Sequence, residues 1–426
     1  MHRVSNLSGR FVAPLLGTLA LPMFVSPQAT YAQWGQWGGP NRDFVVDGKG
    51  LAAKWPEDGP KKLWTRELGE GYSAIVAEGD RLYTMYRSGD QERVVALNAK
   101  NGETVWETPY DAKPHEEHVA QFGDGPRSTP LIDGEKMYTV GISGVMNCLN
   151  KSDGKVSWTK DLWKEMSGTF LNHGYSSSPM AYKDTIIVLV GGEDHAIVAF
   201  NKSDGAIKWQ KHSYGNSYSS PRIYKVDGAD QLITFMGTEV VGMNPDNGDL
   251  LWSFPHENQW KQNVCMPVLG PDNILVISAP EAGTKGLKLT RSSEGWKAEE
   301  AWETRKVQFY HTTAIPVGDV VFGSTGGMSG GPAFMAAVNM KTGKVLWRER
   351  GFAKATALYA DGRLIILDED GVLALAKVSP EKFEVISKAP VLTKVAWTVP
   401  TLAGKTLFLR DKKTIVALDL GASGGA

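Results

Sequence analysis

Short runs in which apolar and polar positions alternate, each halted by Asn or Asp and turned by Gly, recur along the chain. In ALNAKNGETVW, Ala96–Trp106, the alternation stops at Asn98, resumes after Gly102 and ends on Trp106. An Asn side chain can bond its own backbone two residues on, and Gly supplies the positive φ that closes a hairpin of four or five residues. The pattern therefore predicts two antiparallel strands with the tryptophan on the second. The skeleton returns at Asn150, Gly154 and Trp158, at Asn201, Gly205 and Trp209, at Asn244, Gly248 and Trp252, and at Asn339, Gly343 and Trp347. Upstream of the copies, RSTPLI at Arg127, SSSPMAY at Ser176 and YSSPRIY at Tyr218 open two more short strands. Each repeat is expected to be a sheet of four antiparallel strands.

Degenerate copies fill the gaps: KLTRSSEG with Thr290, Gly295 and Trp302, ALAKVSPEKF with Ala376 and Phe383 in place of Trp, and IVALDLG with Asp419. Eight turns result, spaced 37 to 52 residues apart, around the period of roughly 40–50 residues of a propeller blade. The last copy has no Trp-bearing strand after Asp419, whereas KKLWTREL near the N-terminus has a Trp strand, centred on Trp64, with no hairpin before it. Pairing these two ends closes a ring and removes two sheet edges, which an extended β-solenoid would leave exposed. The fold expected is all-β: one eight-bladed β-propeller over 61–421, preceded by an extended segment at 33–60 lying along the ring and followed by a flexible tail at 422–426. Each repeated Trp reads as a structural side chain packed on the neighbouring blade, contributing on the order of 2–3 kcal/mol by burial.

Composition narrows the setting. The chain has 46 Lys plus Arg against 47 Asp plus Glu and no basic run, which argues against a nucleic-acid partner. Residues 1–32 carry Arg3 and Arg10, no acidic group, the apolar run FVAPLLGTLALPMFV and then ATYA, which reads as a secretory signal cleaved after Ala32. Pro14, Gly17 and Pro22 interrupt that run and weaken a membrane anchor. The mature chain, of net charge −3, is then expected to be a periplasmic or secreted monomer without a transmembrane segment. Cys148 and Cys265 are the only cysteines, too few for a disulfide scaffold or a four-cysteine metal site, and both are expected in strands as small buried groups. Neither lies near the cleavage site, so a lipid-bearing cysteine is not expected.

Chemistry is expected at one end of the propeller axis. The segments joining an outer strand to the next inner strand open there, and Glu107–Arg127 and Lys160–Tyr175 are longer than a tight turn needs. Residues just before the inner strands should converge on that funnel: Tyr72, Arg127, His173, Tyr175, Tyr218 and Asn263, then Tyr310, His311, Lys354, Lys394 and Trp397. Cations beside flat rings suit a planar, anionic small molecule; the same groups could instead be spent on loop carbonyls and on each other. In PHEEHVA, His115 and His118 are three apart with one residue between Glu117's predecessor and the second His, short of the zinc-protease spacing, so no metal site is assigned. GSTGGMSGGP, Gly323–Pro332, lacks the Lys of a phosphate loop and reads as a connection.

Through WGGPNRDF, WPEDGPKKLW, GYSAIVAEGDRLYTM, GPRSTPLIDGEKMYTVG and the ALN or ALD hairpins, nearly the whole mature chain resembles the PQQ-binding-like, quinoprotein-type β-propeller repeat family, BamB-like propellers included. The resemblance implies eight blades and an exported location. It also implies either a non-catalytic binding or scaffold module of the cell envelope, with a protein or a small anionic ligand as partner, or a pyrroloquinoline quinone-dependent alcohol or polyol dehydrogenase. For the dehydrogenase, Arg127, Lys354 and Lys394 would hold the quinone carboxylates and Trp397 would stack on it. Such enzymes place a vicinal cysteine pair over the quinone and a calcium ion beside an Asp base. This chain has no adjacent cysteines, and Asp124 and Glu70 are isolated candidates. The non-catalytic reading is therefore preferred, with polysaccharide binding through the aromatic funnel as a third option.

Overall fold

The computed structural model describes residues 1–2, 34–261, 263–326 and 332–422. All but the first two residues of the signal segment assigned to 1–32, the tail beyond Ala422 and part of GSTGGMSGGP lie outside the described residues. Eight sheets follow one another along the chain, each built on four antiparallel strands; blades 1 to 7 take theirs in chain order, and blade 7 gains a fifth, parallel strand from the N-terminal segment. Blades 1 to 7 span residues 76–111, 131–161, 180–211, 222–255, 268–304, 315–350 and 356–390. Blade 8 is made of residues 401–419 and Lys61–Glu67, which pairs antiparallel with Thr414–Asp419, Lys61 opposite Asp419 and Trp64 opposite Ala417. The ring is thus closed by its two chain ends, as the mutually deficient first and last repeats demand.

The middle strands of each blade read as unbroken apolar runs, such as Thr185–Leu189 (TIIVL) and Arg363–Leu367 (RLIIL). A sheet packed on both faces needs no polar side. Tyr138, Val140 and Cys148 of blade 2 pack in this way on Ile186, Val188 and Phe200 of blade 3.

The Asn-Gly-Trp spacing is explained at the seams between blades. The Trp64 indole donates to Ala99 O at 3.0 Å, Trp106 to Lys151 O at 3.0 Å, Trp158 to Lys202 O at 3.1 Å, and Trp209 to Pro245 O at 3.3 Å. Trp302 and Trp347 make the same bond to Met340 O and Ser379 O. In five of these the acceptor is the residue just after the turn-opening Asn of the next blade. The hairpin Gly of that blade then lies flat beneath the indole: a Cβ on Gly154 would stand 2.4 Å from the Trp106 ring, and Gly154 has φ +71°. Each copy therefore supplies a Trp to the following blade and a socket to the preceding one. Trp64 docks on Ala99 and Gly102 of blade 1, so the closing strand repeats the contact made at other seams.

Blade 5 breaks the pattern and shows why. Its outer hairpin strands, Gly283–Ser292 and Gly295–Thr304, are ten residues each, so the turn lies beyond Thr290 and offers no Asn-Gly socket. Trp252 of blade 4 turns instead to Gln231 Oε1 of its own blade, 2.8 Å away.

The N-terminal segment does not run along the ring, as expected from sequence, but crosses it. Trp34 bridges Ala77 of blade 1, and the Arg42 guanidinium donates to Ser178 O and Pro179 O of blade 3 at 3.2 and 3.0 Å. Asp43 pairs with Arg222 of blade 4, and Val45–Val46 adds in parallel to the inner strand of blade 7. Touching inner strands on opposite sides of the ring places this segment across the axial channel. The Arg42 contacts cannot be foreseen from local pattern, because their partners lie more than a hundred residues away in the chain.

Candidate functional site

Seven of the eight connecting segments from outer to inner strand, all but the one before blade 7, line a pocket of about 210 Å³ at one end of the axis. Tyr72 precedes blade 1, Phe122 and Arg127 precede blade 2, His173 blade 3 and Tyr218 blade 4. Tyr310 and His311 precede blade 6, and Trp397 precedes blade 8. Ser176, Ser178, Ser220, Thr313 and Thr398, two to four residues before the inner strands, also line it, as does Trp37 of the crossing segment. The serines of the small-residue signature tie blades together: Thr129 N donates to Ser178 Oγ and Ser178 N to Ser220 Oγ, at 3.0 and 2.9 Å.

Seven of the eleven residues singled out from sequence thus meet in one pocket: Tyr72, Arg127, His173, Tyr218, Tyr310, His311 and Trp397. The other four do not line it. Tyr175 is fully buried in the core between blades 2 and 3, where burial pushes its phenol up. Lys354 pairs with Glu369 at 3.2 Å and covers the Trp397 ring with its Nζ 5.2 Å from the centroid. Lys394 is 60% exposed and pairs with Asp370 at 3.1 Å. Glu369 and Asp370 come from the turn between the second and third strands of blade 7, which reaches the same face. Asn263 is also structural, its amide bonded to Met236 O at 2.9 Å. Phe122 was missed although it sits in a connection noticed for its length. Trp37 gave no signal, since nothing in its neighbourhood marks it as crossing the axis.

Aromatic rings line the pocket as a stack. Trp397 lies between Tyr72, 5.6 Å away at 27°, and His311, 5.8 Å away at 24°, with Phe122 edge-on at 5.3 Å. Arg127 caps the far side of Tyr72 at 5.6 Å, a cation over a π face. Its Nη2 donates to Gly123 O at 2.9 Å, whereas its Nη1 is shut from solvent without a hydrogen-bond partner among the described residues. Trp397 Nε1, His173 Nδ1 and His311 Nε2 are in the same condition. Burial lowers the His311 imidazole to about 3, aided by the Lys354 charge, and burial together with Arg127 lowers His173. Both rings are neutral at pH 7, and burial raises Tyr218 and Tyr310 to about 12. The pocket lining therefore carries one charge, on Arg127, which makes no ion pair among the described residues.

PHEEHVA comes apart in space: His115 stacks on Phe170 at 4.1 Å, while His118 Nε2 stands 3.2 Å from Asp124 Oδ1. Among the described residues no three His, Cys, Asp or Glu side chains gather as a metal would require. Cys148 is buried in a strand of blade 2. Cys265 is buried too, but in a connecting segment rather than a strand, its thiol directed at Thr312 O, 2.8 Å away.

A family model described as outer membrane protein assembly factor BamB matches residues 38–116 and 90–330. The chain belongs to this family of PQQ-like β-propellers. Within the family, BamB of Yersinia pestis is 26% identical over 44% of this chain and 43% of its own length. The quinoprotein alcohol dehydrogenase PedH of Pseudomonas putida is 24% identical over 34% of this chain and 23% of its own length. The matches thus span less than half of these relatives. Among solved structures, quinohemoprotein alcohol dehydrogenase ADHIIG of Pseudomonas putida HK5 superposes with a TM-score of 0.62 at 11% identity, covering 92% of this chain and 81% of that one. The enzyme from Comamonas testosteroni also gives 0.62, at 12% identity, over 94% and 82%. This likeness is one of fold. No helix among the described residues is long and apolar enough to cross a membrane.

The quinone associated with the PQQ-like propellers does not fit these residues. A planar tricarboxylate needs an open flat slot and several free cations. Here Trp397 is already stacked against Tyr72 and His311, and Lys354 and Lys394 are neutralised by Glu369 and Asp370.

Proposed function

We propose that this PQQ-like propeller is an exported, non-catalytic binding module of the cell envelope that docks a protein partner on the face where the axial pocket opens. The observation that carries the reading is Trp260. It is 63% exposed, beside a groove of about 540 Å³ whose walls include Phe170, Leu171 and Thr238. Tyr218 lines both that groove and the axial pocket, so the two are neighbours on one face. A large ring left in solvent at the edge of a concave surface has the character of an interface anchor. The name of the matching family, an assembly factor of the outer membrane, supports an envelope protein as the partner, and the reading of residues 1–32 as a secretory signal supports a periplasmic or secreted location.

The test is a photo-crosslinking amino acid at position 260 in intact cells, together with co-isolation using Trp260→Ala. A discrete envelope-protein adduct is expected, with co-isolation reduced at least tenfold in the variant and an unchanged unfolding midpoint. Unaltered co-isolation would move the interface elsewhere. In parallel, purified protein mixed with pyrroloquinoline quinone, calcium and an alcohol should neither retain quinone absorbance nor reduce a dye. Turnover in that mixture would favour the dehydrogenase reading instead.

A further inference from the structure

We propose that the axial pocket is a binding site for a single carboxylate carried on a flat or apolar group, supplied either by a free aryl acid or by the C-terminus of a polypeptide. This deepens the binding-module reading and rests on it. The first ground is charge. Arg127 is the only cation lining the pocket, and no Asp or Glu oxygen lies within ion-pair distance of it among the described residues. The nearest acids act on it only through space: Glu70 pairs with Lys412 at 2.8 Å, and Asp124 stands beside His118, whose pKa burial lowers. One buried positive charge favours one negative charge; two further carboxylates brought into the same pocket would lie desolvated and unpaired.

The second ground is geometry. The Nη2 bond to Gly123 O and the Tyr72 face hold the guanidinium side-on, leaving Nη1 unbonded. Three neutral groups on the same lining, Trp397 Nε1, His173 Nδ1 and His311 Nε2, also lack partners among the described residues. An unbonded buried guanidinium and indole are costly, and since both atoms are closed to water in the free protein, a carboxylate engages them by displacing a lining side chain. The third ground is size. Cavities of about 150 Å³ accept benzene, so one of about 210 Å³ accommodates a substituted ring or one amino-acid side chain. Phe122, Tyr218, Tyr310 and Trp37 of the crossing segment give that body an apolar wall.

Calorimetric titration of the full chain checks this with 3-phenylpropionate, 3-phenylpropionamide, Gly-Gly-Phe as free acid and as amide, and benzene-1,3,5-tricarboxylate. At least one free acid should bind tenfold or more tightly than its amide, and the tricarboxylate should bind more weakly than that acid. Arg127→Gln should abolish the acid-to-amide ratio, and Arg127→Lys, which keeps the charge, should restore part of it. Tighter binding of phenylpropionate assigns the site to free acids, and tighter binding of the tripeptide assigns it to chain ends. Equal binding of acid and amide, preference for the tricarboxylate, a ratio that survives Arg127→Gln, or no binding by any probe overturns the proposal. Crosslinking through position 260 is read separately, so loss of the ligand site and loss of the partner face are distinguishable.

Discussion

The seams between blades and the pocket at the axis are both built from tryptophan, and they treat its indole in opposite ways. At the seams Trp106 has its N–H on a backbone carbonyl and its ring on a glycine, a contact repeated by Trp64, Trp158, Trp209 and Trp302. At the axis Trp397 is stacked against Tyr72 and His311, yet its N–H has no partner among the described residues. Satisfied polar groups and close packing stabilise a fold, whereas an unsatisfied one costs stability wherever it occurs, as at Trp34 and Trp163, and can be completed only where it borders a cavity. The same residue thus marks structure in one place and a binding surface in the other, and what distinguishes them is hydrogen-bond completion rather than burial.

The seam half of this contrast breaks most severely at the socket. Gly154 has φ +71°, and a Cβ there would stand 2.4 Å from Trp106. Gly79, with φ +57°, has nothing within 4 Å of such a Cβ. Left-handed backbone alone costs a residue with a side chain about 1–2 kcal/mol. Gly79→Ala should therefore lose about 1 kcal/mol in urea unfolding, and Gly154→Ala about 4 kcal/mol once displacement of the indole is added. Equal losses would mean that the socket yields freely and that the seam is not a close fit.

One polar group at the seam between blades 1 and 2 is satisfied but not neutralised. Glu92 is fully buried, accepting from Tyr110 OH at 2.7 Å and from Ile142 N at 3.1 Å, and burial raises its carboxyl from 4.5 to about 7. Since the folded state holds this proton more tightly than the unfolded chain, its contribution is fully present below pH 4.5. It is lost as pH rises toward 7 and stays lost above that. Glu92→Gln keeps the acceptor and carries no charge. Relative to the parent it should gain on the order of 1–3 kcal/mol between pH 5 and pH 8. A stability difference that does not change with pH would show that Glu92 is ionised and compensated in the folded protein.

What the sequence discloses follows the same division. Hairpins depend on Asn, Gly and their immediate neighbours, so eight blades and the closure through Trp64 are readable from local chemistry plus a count. The converging residues are also foreseeable, because the position just before an inner strand is fixed by topology. The fate of their charges is not. Lys354 and Lys394 meet Glu369 and Asp370 only because the central turn of blade 7 rises to the same face, and no periodicity announces an ion pair across two connections. The crossing of the axis by residues 34–46 is hidden for a similar reason, its anchor being Arg42 on carbonyls of blade 3.

The contrast is sharpest when the same atom is removed at both places. Trp→Phe deletes the indole N–H and narrows the ring. For Trp106 this strands the Lys151 carbonyl, which accepted at 3.0 Å, and thins the contact over Gly154. For Trp397 it deletes a donor that bonds nothing in the chain, while a phenyl ring can still stack between Tyr72 and His311. A net hydrogen bond is worth about 1 kcal/mol and leaving its buried partner unmade costs about 1–3. Trp106→Phe should thus lose about 2 kcal/mol, whereas Trp397→Phe should stay within about 0.5 kcal/mol of the parent or gain slightly. Denaturant midpoints of the two variants side by side decide it. If Trp397→Phe falls as far as Trp106→Phe, the axial indole is completed within the protein after all. The unpaired donors of the pocket then lose their meaning as a ligand site.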